Sequence, residues 1–149
     1  MKFGHFGGWY WFSNGEEDKL IREKCGKWMY FFTDQVEAMK LCKLAIDSKV
    51  CYLCKCADLA EQGTKEGPIC FYANVDDIKN HKYILAFMIK LGLIKKTKTG
   101  RLYDIPFKLD SQTRAGEYGA DFEGKIKLSQ FIDLYTLKWI YQENNSGNV

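Results

Sequence analysis

Between Tyr103 and Asp110 apolar and polar residues alternate: Tyr103, Ile105, Phe107 and Leu109 interleave with Asp104, Pro106, Lys108 and Asp110. Side chains of a strand point alternately to its two faces. This stretch is therefore expected to be a half-buried strand whose apolar set faces inward, with Lys108 and Asp110 sharing the other face. A chain carrying such a strand needs a sheet with one covered and one polar face. The strand leads into a polar turn, Ser111 to Gly116, that carries Arg114. Arginine forks onto phosphate or carboxylate, lysine adds a point charge, and a carboxylate can orient either. The same residues can also form a plain surface salt bridge, Asp110 with Lys108 or Arg114, which stabilises little.

The preceding chain supplies partners for such a sheet. Gly26 to Phe32, GKWMYFF, reads as an aromatic strand, with Lys27, Met29 and Phe31 on one face and Trp28, Tyr30 and Phe32 on the other. Asp34 to Asp47 reads as a helix: Asp34 with Glu37 makes a capping-box-like start, and Val36, Met39, Cys42 and Ile46 form an apolar stripe widened by Leu41, Leu44 and Ala45. Val50 to Cys56 is expected as a strand bearing Lys55, Ala57 to Gly67 as a loop, and Ile69 to Ala73 as a third strand. Asn74 to Leu91 is expected as a second helix, started by Asp76 or Asp77 and closed by Gly92. Asp121 to Gly124 reads as a loop, Ile126 to Tyr135 as a short amphipathic helix, Leu137 to Tyr141 as an ending piece, and residues 142–149 as a frayed tail. In the aromatic-rich segment 1–23, Trp9 and Trp11 share a face if the segment is a strand, and are candidates for ring stacking. The expectation is one α+β domain over residues 1–149: a curved antiparallel or mixed sheet with helices packed on one face.

Composition bears on function mainly by exclusion. With 22 basic and 19 acidic residues, the net charge of +3 is too mild to indicate duplex nucleic-acid binding. The basic run Lys95, Lys96, Lys98 and Arg101 reads as a solvated loop or, alternatively, a phosphate-contacting one. No segment approaches the ~18 consecutive apolar residues of a membrane span. The N-terminus lacks the aliphatic core of a signal peptide, so a cytoplasmic location is expected. Six cysteines are present. In VCYLCKC, Cys54 and Cys56 would share a strand face and Cys51 the other, which does not close a tetrahedral site. Neither His5 nor His81 has a partner at ligand spacing. The residues call for no disulfide, metal or cofactor, and the cysteines read as small hydrophobes.

In order, GKWMYFF, a helix, a lysine-bearing strand, ICFYANVDD with its helix, and YDIPFKLDSQTRAGEYG resemble the phosphothreonine-lyase-domain family that includes the basophilic-leukaemia-expressed protein. The resemblance covers roughly residues 24 to 120, and the K-x-D strand end followed by TRAGEYG is its most distinctive part. That family is similar in fold to the cap-binding translation initiation factor, which implies a concave sheet face able to receive a ligand. A weaker resemblance is to bacterial phosphothreonine lyases, which remove phosphate by β-elimination. There a lysine takes the α-proton, a histidine protonates the leaving phosphate, and arginines hold the phosphate. The lysine–aromatic–histidine motif falls on Lys27, Trp28 and Met29, the K-x-x-D segment on Lys55 to Asp58, the strand before a helix on FYANVDD, and a phosphate-binding arginine on Arg114. Met29 stands where the acid histidine would be, and a thioether cannot donate a proton.

Three functional expectations follow. The first is a binding domain for a phosphorylated small molecule, nucleotide or phospho-peptide, with Lys27, Lys55, Lys108 and Arg114 on one concave sheet face and Asp110 orienting Arg114. The second is a phosphate-eliminating lyase using Lys55 as base. The third is a protein-interaction module, such as a microbial or phage-borne inhibitor, working through its aromatic surface.

Overall fold

The structure is a computed structural model and describes residues 1–111 and 126–140. Its centre is an antiparallel sheet of seven strands: β1 (Lys2–Phe6), β2 (Trp9–Ser13), β3 (Cys25–Phe32), β4 (Leu53–Ala57), β5 (Gly67–Asn74), β6 (Pro106–Leu109) and β7 (Ile126–Lys127). Their spatial order is β1-β2-β4-β5-β3-β6-β7, and every neighbouring pair is antiparallel. The helices are α1 (Gln35–Asp47), the single-turn α2 (Leu59–Gln62) and α3 (Ile78–Lys90). The α+β expectation holds, and the sheet is antiparallel rather than mixed.

One face of the sheet carries the core. Phe12, Trp28, Phe32, Cys54, Cys56, Ile69, Phe71 and Phe107 pack against Ala38, Cys42, Ala45 and Ile46 of α1 and Ile84, Leu85 and Met88 of α3. Asp34 caps α1 by accepting from the amides of Val36 and Glu37, and Asp77 caps α3 by accepting from Asn80. Small side chains form the buried side of α1, while Val36 and Leu44, expected in its stripe, are exposed. α3 starts later than expected because β5 runs through Asn74, whose side chain accepts from the Ile21 amide and donates to the Lys19 carbonyl.

Other expected boundaries move where long-range partners compete. The strand expected from Val50 begins at Leu53, because the Val50 amide bonds back to Ala45 and closes α1. The loop after β4 contains α2, since Asp58 accepts from the Glu61 amide. The helix expected over Ile126–Tyr135 is β7 followed by a single 3-10 turn, Leu128–Gln130. There the Ser129 amide and hydroxyl both donate to Asp104, and the Leu128 amide donates to Ile105. The strand around Lys108 is shorter than expected: β6 starts at Pro106, and Tyr103 is exposed.

The N-terminal segment forms a hairpin. Phe6 pairs with Trp9 across Gly7 and Gly8, whose φ values are +62° and +82°. Two consecutive positive φ angles are what a two-residue hairpin turn of the primed kind requires, and glycine adopts them at least cost. No helix among the described residues is long and apolar enough to cross a membrane.

Candidate functional site

The other face of the sheet has no α-helix over it among the described residues, and the register determines what it displays. Lys27 of β3 lies directly opposite Lys108 of β6 and, on its other side, opposite Tyr72 of β5. Lys55 of β4 lies opposite Cys70 of β5 and Trp11 of β2. Pairing preserves face, so Trp11, Lys55, Cys70, Tyr72, Lys27 and Lys108 all belong to the face away from the helices. A cleft of about 520 Å³ opens on it, lined by Trp11, Glu17, Leu20, Arg22, Cys25, Lys27, Leu53, Lys55, Tyr72 and Asp110.

Charge within the cleft is uneven. The Lys27 Nζ donates to Asp110 Oδ1 at 2.7 Å, and the Lys27 side chain is only 11% exposed. The partner of Asp110 is therefore Lys27, rather than Lys108. Glu17 at the rim accepts from Lys2 and from the Ser13 hydroxyl. Among the described residues, Arg22, Lys27, Lys55 and neighbouring Lys108 thus face two carboxylates, one engaged within the site and one at its edge. Like charges directly opposite on adjacent strands repel. Burial, and then Lys27, hold the proton affinity of Lys108 below the ordinary lysine value. Arg114 lies outside the described residues.

Lys55 has a different environment. Its Nζ sits 3.8 Å from the centre of the Trp9 ring, 4.8 Å from that of Trp11 and 5.9 Å from that of Tyr72. Ring faces attract cations. Burial lowers its proton affinity; Cys70 opposes this, Lys27 adds a smaller lowering, and Asp110 opposes least. Beneath it, burial pushes the Cys70 thiol up to about 11 and raises the Tyr72 phenol, so both are neutral at neutral pH. The Trp11 indole N–H is buried and finds no acceptor among the described residues. Trp11 stacks on Phe6 at 5.2 Å. The two tryptophans proposed as stacking platforms thus present ring surface to a lysine.

The histidines lie elsewhere. His81 is fully buried on the helix side, where its Nδ1 accepts from the Trp28 indole at 2.9 Å and its Nε2 donates to the Val75 carbonyl at 2.9 Å. His5 stacks on Tyr10 on the helix-side register of β1 and β2, and its Nε2 is 2.7 Å from Asp58 and 3.7 Å from Glu61. Sequence spacing missed this trio because its members are brought together by the β2–β4 pairing and the cap of α2. Neither histidine can stand in for the acid that Met29 fails to supply on the Lys27 face.

A second cleft, about 500 Å³, is lined by Glu16, Asp47 and Asp77 together with Lys49 and Lys79. Its charges nearly balance, so it offers no comparable preference for anions. Tyr72, Cys70, Cys25 and Arg22 were not singled out by sequence; only the order of the strands shows that they adjoin the lysines. No family model matches the chain, and no curated protein or solved structure matches it.

Proposed function

We propose that the protein binds a small phosphorylated, or similarly polyanionic, molecule in the cleft between β2 and β6. The observation that carries this reading is the direct opposition of Lys27 and Lys108 across β3 and β6, with Lys55 two strands from Lys27 on the same face. Such an arrangement costs stability through repulsion, and a bound anion relieves that cost. A cleft of about 520 Å³ fits a ligand of metabolite or mononucleotide size. Tyr72 and Trp11 supply apolar wall. Of the ligand classes considered, a compact phosphorylated small molecule fits better than a nucleotide stacked on tryptophan, because Lys55 already occupies the ring surfaces. The lyase reading has a base in Lys55 but lacks a histidine on its face.

Calorimetric titration with inorganic phosphate, pyrophosphate, a nucleoside monophosphate and a phosphothreonine peptide tests this directly. The expected result is saturable binding of at least one of them, weakened at least tenfold in Lys108→Met and declining as salt is raised. Absence of saturable binding by all four would remove the reading.

The exposed aromatic side chains Phe3 and Phe6 on edge strand β1 favour a second reading, a protein-interaction module. Edge strands offer unpaired backbone groups to other chains. Phe3→Ser, on the opposite face from the cleft, would weaken such an association without affecting anion binding.

A further inference from the structure

Three features combine at Lys55. It makes no hydrogen bond or ion pair among the described residues, it is walled by Trp9, Trp11 and Tyr72, and it shares its face with a second cation, Lys27. An amine withdrawn from water beside another positive charge loses its proton more readily than a surface lysine, and the free amine is the nucleophilic form. Lys55 is also only part-buried and lines the open cleft, so a reactant can approach it.

We infer that Lys55 forms an imine with the aldehyde or ketone group of an anionic carbonyl compound whose phosphate or carboxylate lies toward Lys27 and Lys108. This rests on the anion-binding reading above and adds a covalent step to it. The Nζ lone pair attacks the carbonyl carbon, forming the C–N bond, while the C–O π pair moves to oxygen and takes up a proton. The nitrogen releases a proton to solvent in the cleft, the hydroxyl leaves as water after protonation, the nitrogen pair closes the C=N bond as an iminium, and loss of the second N–H proton gives the imine. Amine and carbonyl thus give imine and water, with no oxidant, reductant or cofactor consumed.

The ring cage suits the product as well as the reactant. The ring faces favour the ammonium form, opposing the effect of burial before reaction. Once the imine forms and is protonated, the positive charge sits at the same nitrogen, so the three rings stabilise the iminium in turn. Asp110 is bonded to Lys27, so the carboxylate nearest the lysines is turned to that cation.

Trapping the imine tests the inference. The full chain is incubated with pyridoxal 5′-phosphate at limiting concentration, reduced with borohydride, digested and mapped by mass spectrometry. Pyridoxal without phosphate is run in parallel, and inorganic phosphate is used as competitor. The expected result is an adduct on Lys55 formed at least tenfold faster than on any other lysine, slower with pyridoxal, suppressed by phosphate, and lost in Lys55→Arg that melts like the wild type. Adduct scattered over surface lysines overturns the inference, and calorimetric phosphate binding in that case leaves the anion site standing. Selective reaction at Lys55 with no preference for the phosphorylated aldehyde supports imine formation and counts against the anion site.

Discussion

Lys27 and Asp110, 83 residues apart in the chain, meet in a 2.7 Å charged hydrogen bond across the β3–β6 pair. The lysine is nearly buried, and the carboxylate is about a quarter exposed. Removing one partner of such a pair leaves the other charge poorly compensated. Asp110→Asn is therefore expected to lower stability by ~1.5–3 kcal/mol, the range of a charged hydrogen bond, as measured by urea unfolding. Combining it with Lys27→Met should recover part of the loss. A double variant that shows the full sum of the single losses would mean that the two residues do not interact.

Lys55→Met separates stability from binding. Methionine matches the lysine stem in length and fills the ring cage without a charge to desolvate. We expect stability within ~1 kcal/mol of wild type, or higher, because replacing a buried charge by an apolar group of similar size is commonly neutral or favourable. Phosphate affinity should fall about tenfold, the equivalent of ~1.4 kcal/mol. In the wild type, binding should decline with rising pH before the ordinary lysine value is reached, since Lys55 and Lys108 both hold their protons less tightly than exposed lysines. Affinity that stays flat up to pH 10.5 would contradict this.

Gly26 is the point of closest approach between β3 and the element beside it. A Cβ there would lie 2.7 Å from the Lys108 carbonyl oxygen and 2.7 Å from the Phe107 ring. Gly26→Ala should cost at least ~1–3 kcal/mol, the usual range for overpacking. It should also displace β6, lowering anion affinity together with stability. A thermally unaffected Gly26→Ala would show that β6 lies farther from β3 than described.

His81 makes stability depend on pH in a predictable direction. Burial is the main cause that lowers its proton affinity below the ordinary 6.5. The unfolded chain therefore takes up a proton near pH 6.5 that the folded chain does not. The stabilising contribution is complete above that value and is lost as pH falls through it toward the lower folded value, with a slope of at most ~1.4 kcal/mol per pH unit. His81→Gln should be less stable at pH 8, because the Trp28 indole and the Val75 carbonyl lose well-placed partners. It should also show a shallower decline between pH 7 and 5. An unchanged slope would assign the acid sensitivity to other groups.

The sequence showed which residues share a face, but not which strands are neighbours. Alternation placed Lys108 with Asp110, and Lys27 with Met29, because period two is a local property. That β3 inserts between β5 and β6, and β4 between β2 and β5, are long-range outcomes, so the partnership of Lys27 with Asp110 and the cage around Lys55 could not be read from spacing. The N-terminal hairpin did leave a local signal, the paired glycines Gly7 and Gly8 between aromatic runs. The expected helix after Ile126 failed for a different reason. Its apolar spacing is genuine, and Leu128, Phe131 and Ile132 are buried, but the Tyr135 amide donates to the Asp133 side chain and the Phe131 carbonyl accepts from Ile140, so the bond a helix would have made between them is replaced.

The strand order also bears on how the molecule acquires its cleft during synthesis. The hairpin of β1 and β2 can close as soon as both strands leave the ribosome, whereas β3 has to wait for β5 and then for β6, which ends at Leu109. Pairings between residues so distant in the chain form late and slowly, because the loop-closure entropy is lost before the contacts form. Until Asp110 emerges, Lys27 sits on a strand whose flank is open, in a nascent chain already rich in unpaired aromatic edge. A ligand for the lysine face would then act on folding itself, accelerating the arrival of β6 or slowing its departure.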